Sequence, residues 1–354
     1  MYKKIIMGIA AAAALTLVSC SSDDLNSLSD NSSKNEAISF DGYLGRSAVS
    51  VNGSRGSVLE KKQLQESEEG FGVFGNYTAT DVTTITYGEN LFKNQKVTYS
   101  TDKTKWTYEP VKYWSPAGHI DFLAYAPYDS QYDGDQKLKE SSKLDFTVSS
   151  TITAQKDLLW ANATKQTKTD KPVTFTFKHA LAKIGYSVKT STAAAEGTTI
   201  TLNQIILAGS NDGAKGAFYS TGTIDLSKTS STDLWTNLNS DTKLKFDWVS
   251  SYKDLSSNET KNSDTEYLFV IPQDFSKTGE NADELYVIVE YIISYNDVQT
   301  TMKSKVYKQL KQEFKQGNAY TLNLTIGLTP IEFNANVTEW KTPADGDINI
   351  NSWE

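Results

Sequence analysis

The chain is poor in the residues that carry covalent and metal chemistry. Of its 354 residues one is cysteine and two are histidine. Cys20 has no second cysteine to pair with, so an intramolecular disulfide is excluded. His119 in "PAGHIDF" and His179 in "TFKHALA" stand 60 residues apart, at the edges of strand-like runs. A zinc centre or a Ser/His site needs further partners at defined spacing, so both histidines read as structural. There is no P-loop, GxGxxG unit, GxSxG elbow or CxxC motif. The acidic turns "YDGDQK" and "PADGDIN" miss the EF-hand ligand spacing and read as Asp-Gly turns. Glycoside hydrolysis needs two placed carboxylates, and among 43 acidic residues nothing selects a pair. The expectation is a protein that is not an enzyme, with no cofactor and no metal.

Arginine is almost as scarce. Arg46 and Arg55 both fall in "GRSAVSVNGSRG", residues 45–56, while the other 33 basic residues are lysines. The net charge of −8 leaves no basic stripe to neutralise phosphates, which argues against a nucleic-acid partner.

The N-terminus joins Lys3 and Lys4 to the apolar run "IIMGIAAAAALTLV". That run is too short for a membrane span, and the pattern predicts a signal peptide over 1–19. Leu17-Val18-Ser19-Cys20 resembles a bacterial lipobox. The resemblance implies diacylglycerol on Cys20, cleavage before it and acylation of the new amine; several acyl chains on one residue anchor stably. A plain signal peptide with an incidental cysteine is the alternative. Residues 20–36 are polar and predict a disordered tether. Within it Ser21-Ser22-Asp23-Asp24 resembles an acidic surface-export tag, with an ordinary solvated linker as the other reading.

Thr, Ser, Tyr and Val dominate the remainder, a mix suited to pleated surfaces, so the fold class is all-β. A first strand is expected in "AISFDGYLG" (37–45), with Ile38, Phe40 and Leu44 on one face. The stretch from Arg46 to about Gly70 has no sustained apolar face. From Phe71 the period is two: Phe71-Val73-Tyr77, Leu144-Phe146-Val148, Val173-Phe175-Phe177 and Tyr320-Leu322-Leu324-Ile326. The apolar parity flips at His179, which predicts a bulge or a crossing into a new sheet, and with it a boundary between domains 37–180 and 181–340. "VYKQLKQEFKQG" gives at most two helical turns. Six tryptophans, Trp106, Trp114, Trp160, Trp235, Trp248 and Trp340, lie in or beside strand-like runs and read as core. An exposed stacking platform for glycan at one or two of them is the alternative.

Several stretches in fixed order then point to a family: "FGVFG" (71–75), "VKYWSPAGHIDFLAYAP" (111–127), "DLLWANA" (157–163), "VTFTFKHALAKI" (173–184) and "KQGNAYTLNLTI" (315–326) with "VTEWK" (337–341). Together they resemble the fimbrillin family of Bacteroides-type bacteria, the FimA- and Mfa-like pilins. The resemblance implies two tandem transthyretin-like Greek-key β-sandwich domains and assembly with other pilin subunits into a cell-surface fimbrium. It implies an outer-membrane lipoprotein precursor and an Arg-specific protease that cuts beyond the first strand. Here that bond is Arg46–Ser47, with Arg55–Gly56 the second choice. The lipid and the first strand then leave together, and the C-terminal strand of another subunit fills the groove. The tail 341–354, with Ile348 and Ile350, is the donor candidate. The tail is short and carries Pro343, so a polymerising subunit and a tip subunit both stay open, as do a lipid-retaining anchor and a surface lipoprotein binding a host or bacterial glycan or protein receptor.

Overall fold

A computed structural model describes residues 36–44, 61–79, 91–133, 142–230, 232–248, 253–263, 266–280, 282–295, 300–326 and 332–339. The first half contributes eight strands: β1 (Phe40–Leu44), β2 (Phe71–Thr78), β3 (Phe92–Ser100), β4 (Lys105–Thr107), β5 (His119–Ala126), β6 (Lys143–Thr147), β7 (Leu159–Gln166) and β8 (Val173–His179). All but β6 join one seven-stranded sheet in the order β1-β8-β7-β5-β2-β3-β4. Its two ends approach each other: Phe40 of β1 meets Phe92 of β3 at a ring separation of 5.5 Å. The sheet therefore curls over an aromatic core in which Phe71, Phe122 and Phe175 are fully buried.

The second half begins with β9 (Ala182–Thr190) and β10 (Thr198–Ala208). β9 pairs in parallel with the strand Asn318–Ile326, which pairs antiparallel with Glu332–Glu339. β10 pairs antiparallel with Tyr286–Tyr295, which carries Thr300–Gln309 at its other side. Ile184, Tyr186, Leu322 and Leu324 from the first of these sheets share one core with Leu202, Leu207, Val287 and Val289 from the second. Two sheets closed face to face over such a core form a β-sandwich.

The period-two reading accounts for the strands that present one face to a core. β8 is buried at Val173, Phe175, Phe177 and His179 and exposed between them. β2 behaves differently, with Phe71 to Asn76 all buried. Its sheet is covered on both faces: Phe71 and Val73 pack into the curled sheet, whereas Phe74 joins the core of the second half. β6 also crosses over, pairing antiparallel with the strand Thr221–Asp225 rather than with its own neighbours.

One local expectation is corrected. "VYKQLKQEFKQG" is no helix: its first residues complete the strand Thr300–Gln309, where Met302 and Tyr307 are more than half exposed. That strand lies at a sheet edge, so the apolar pattern it shows is too weak to set a period. The stretch without a sustained apolar face holds the short helix α1 (Lys61–Glu66), whose one apolar residue, Leu64, is fully buried. Gln63 and Gln65 on either side of it are half-buried, while Lys62 and Glu66 are exposed.

Candidate strand-release site

β1 is the edge strand on which the expected processing turns, and it is held on two sides. Along β8 the pairing is parallel, from Phe40 opposite Val173 to Leu44 opposite Phe177. Just before β1 the chain runs antiparallel to residues 112–114. There the Ile38 N–H donates to the Lys112 carbonyl at 2.8 Å, and the Trp114 N–H donates to the Glu36 carbonyl at 2.9 Å. The Tyr108 hydroxyl adds a third tie, donating to the Ile38 carbonyl at 2.7 Å.

Alternation sets the two faces of the segment. Asp41 and Tyr43 face outward, while Ile38, Phe40 and Gly42 are buried. Phe40 sits among Tyr108, Phe122 and Phe175 with ring separations of 5.3, 5.4 and 5.6 Å. Gly42 continues the inward row where the space closes, since a Cβ there would lie 3.2 Å from the Phe177 ring. Burying Ile38 and Phe40 contributes roughly 3–6 kcal/mol by area arguments. A short edge strand is thus fixed by a few large side chains.

Burial pushes the Tyr108 phenol up to about 12, against the opposing effect of its contact with Lys112. Burial also lowers the Lys112 ammonium, helped by the charge of Lys93. A phenol raised by folding stabilises fully below its unfolded value, near 10, and that contribution is lost as pH rises towards 12. Tyr108→Phe should therefore flatten part of the alkaline loss of stability between these limits, read by urea unfolding at successive pH values. An unchanged alkaline slope would show that Tyr108 contributes nothing to it.

Beyond Leu44 the chain passes out of the described residues and returns at Lys61. Cys20, Arg46, Ser47, Arg55 and Gly56 lie outside them, and so do Ile348 and Ile350 in the tail. "IEFNANV" supplies most of the strand Glu332–Glu339, which is already paired along its whole length with Asn318–Ile326. The clamp at 112–114 and the Tyr108 tie were not anticipated from the sequence, although they fall in or beside "VKYWSP". Their signal is an isolated apolar-aromatic cluster beside a proline, with no period to betray its partner.

The histidines are partnered. His179 Nδ1 lies 2.7 Å from Asp157, and His119 Nε2 lies 3.2 Å from Asp121. Trp106, Trp114, Trp160 and Trp248 are buried, and Trp235 is half-buried. Among the described residues no group of three or more His, Cys, Asp or Glu side chains is placed to hold a metal ion.

The profile of fimbrillin-like proteins matches residues 58–340, most of the chain. The chain belongs to the fimbrillin-like family. Fimbrium subunit Fim1C of Phocaeicola vulgatus is 25% identical over 388 aligned positions, covering 96% of this chain and 97% of that protein. A fimbrial protein from Bacteroides vulgatus, known as a crystal structure, superposes with a TM-score of 0.63 at 22% identity, over 86% of this chain and 100% of that one. The fimbrillin-like fold is thus shared nearly end to end. The matched region begins just past Gly56, leaving β1 and both arginines on its N-terminal side.

Proposed function

We propose that this chain is an exported fimbrial subunit, made as a lipoprotein on Cys20, cut after Arg46 and polymerised by strand exchange at the cell surface. The observation that carries this reading is the setting of β1. It is an edge strand held by two buried large side chains and leads directly into the segment that contains Arg46. Loss of residues 36–44 leaves an unpaired edge on β8 and an apolar slot among Phe92, Tyr108, Phe122 and Phe175. An incoming strand from another subunit repairs both, with backbone hydrogen bonds for affinity and alternate side chains for specificity. Because Glu332–Glu339 is already paired within its own sheet, the tail 341–354 with Ile348 and Ile350 is the donor. Such head-to-tail contacts do not close on themselves and so build a filament. The same reading divides the chain into tandem domains at residue 180, where β8 ends in one sheet and β9 opens another.

The test is limited digestion with an Arg-specific protease, followed by N-terminal sequencing and gel analysis without boiling. Wild-type protein should begin at Ser47 and form a ladder of oligomers; Arg46→Lys should stay intact and monomeric. Continued cutting of that variant at Gly56 would move the processing site to Arg55. Mature protein from cells that begins only at acylated Cys20 would sink the release step and leave a lipid-anchored subunit.

A further inference from the structure

The slot that β1 occupies sorts side chains by size. Along its inward row Ile38 and Phe40 are large and buried, and Gly42 is buried with no side chain at all. A Cβ at Gly42 would stand 3.2 Å from the Phe177 ring and 3.4 Å from the Phe71 ring. Both rings are fully buried, so a bulky side chain at this point would overpack the core. The row reads large, large, small, and any strand that replaces β1 has to match it.

The tail 341–354 carries one row that can. From 344 to 352 its even positions are Ala344, Gly346, Ile348, Ile350 and Ser352, and every residue between them is Asp or Asn. Strand alternation sends the even row inward. An isoleucine cannot take the tight point at Gly42, so a small residue must. Ala344 there leaves only Gly346 or Thr342 for the Phe40 space, which empties it. Gly346 with the tail parallel to β8 leaves only Ala344 for that space, and Ser352 with the tail antiparallel drives the Glu354 carboxylate into it. Two fits remain: Gly346 at the tight point with the tail antiparallel to β8, or Ser352 there with the tail parallel. Either seats one isoleucine in the Phe40 space and the other in the Ile38 space. Serine brings the crowded Cβ and a hydroxyl that the rings cannot satisfy, whereas glycine brings neither. Antiparallel pairing is also slightly the more stable per residue.

We propose that the tail of a second copy enters the slot antiparallel to β8, with Gly346 in place of Gly42, Ile348 in place of Phe40 and Ile350 in place of Ile38. This docking rests on the release of β1 proposed above; the slot then fixes the direction and register of the strand that follows. Asp347 stands where Asp41 stood, on the outer face beside Thr174. Pro343 stays outside the paired stretch, where its missing N–H does no harm. Isoleucine fills the Phe40 space less fully than phenylalanine, so β1 excludes the tail for as long as it remains attached.

The experiment pairs engineered cysteines in the full-length chain carrying Cys20→Ser, cut with an Arg-specific protease and run on non-reducing gels. Thr174→Cys combined with Asp347→Cys should give disulfide-linked ladders, because the two residues face each other across the new pairing. Thr174→Cys combined with Asn351→Cys, the pair that a parallel tail would bring together, should not. In the chain without engineered cysteines, Gly346→Val should abolish the oligomers while the cut still occurs, and Ser352→Val should leave them unchanged. Circular dichroism before cutting verifies that both variants are folded. Linking through Asn351→Cys instead of Asp347→Cys overturns the proposal. So do oligomers that link through neither, and so does a Gly346→Val chain that assembles like its parent. If the cut parent chain stays monomeric, the strand-release reading itself fails and this register falls with it.

Discussion

Phe40→Ala should lower the free energy of unfolding by about 3–5 kcal/mol, the usual cost of emptying a phenylalanine site in a packed core. The loss is large because Phe40 is 3% exposed and touches rings from three directions: Phe92 of β3, Phe122 of β5 and Phe175 of β8. Those strands cannot collapse into the space independently, since all three belong to one hydrogen-bonded sheet. Tyr43→Ala is the matched control, because Tyr43 on the outer face is 39% exposed and its loss should cost within about 0.5 kcal/mol. Urea unfolding of the uncut chain measures both. If the two substitutions cost the same, β1 is not seated by its inward row. Under the proposed release mechanism the same change acts a second time. Once the chain after β1 is cut, a strand lacking Phe40 should leave faster than the wild-type strand, and oligomers should appear sooner.

What the sequence made legible follows from how many faces each strand buries. β8 and Asn318–Ile326 have their apolar residues at every second position, and those rows are buried as read. The parity flip at His179 marks a physical event, since β8 pairs in the seven-stranded sheet and β9 in a five-stranded one. In β2 the row Phe71-Val73 is only half of the buried surface, because Phe74, one residue out of phase with it, lies on the opposite face and is buried as well. The parallel pairings of β1 with β8 and of β9 with Asn318–Ile326 join segments more than a hundred residues apart, and nothing local specifies them. The clamp on β1 was hidden for a related reason. Lys112 and Trp114 bond through their backbones, and backbone groups are the same in every residue.

Asp157→Ala should cost about 3 kcal/mol, because it leaves His179 at 5% exposure without the carboxylate that lies 2.7 Å from its Nδ1. Asp157→Asn keeps an acceptor in the same place and should cost clearly less, so comparison of the two separates the hydrogen bond from the charge. The site matters beyond its own energy. The pair ties the entry to β7 to the last residue of β8, and the next residue, Ala180, donates its N–H to the Leu158 carbonyl at 2.8 Å. Immediately beyond, the Gly317 N–H donates to the Leu181 carbonyl at 2.9 Å, drawing in the strand that pairs with β9. β7 also feeds both cores: Leu159 and Ala161 pack with the curled sheet, while Trp160, with Leu158 just before the strand, packs with the sandwich. A strand shared in this way couples the two halves, so loosening its entry should destabilise both together. Asp157→Ala should accordingly shift one cooperative transition, seen at the same denaturant concentration by tryptophan fluorescence and by far-ultraviolet circular dichroism. Two separated transitions would mean that the halves fold independently and that the Asp157–His179 pair only trims a local turn.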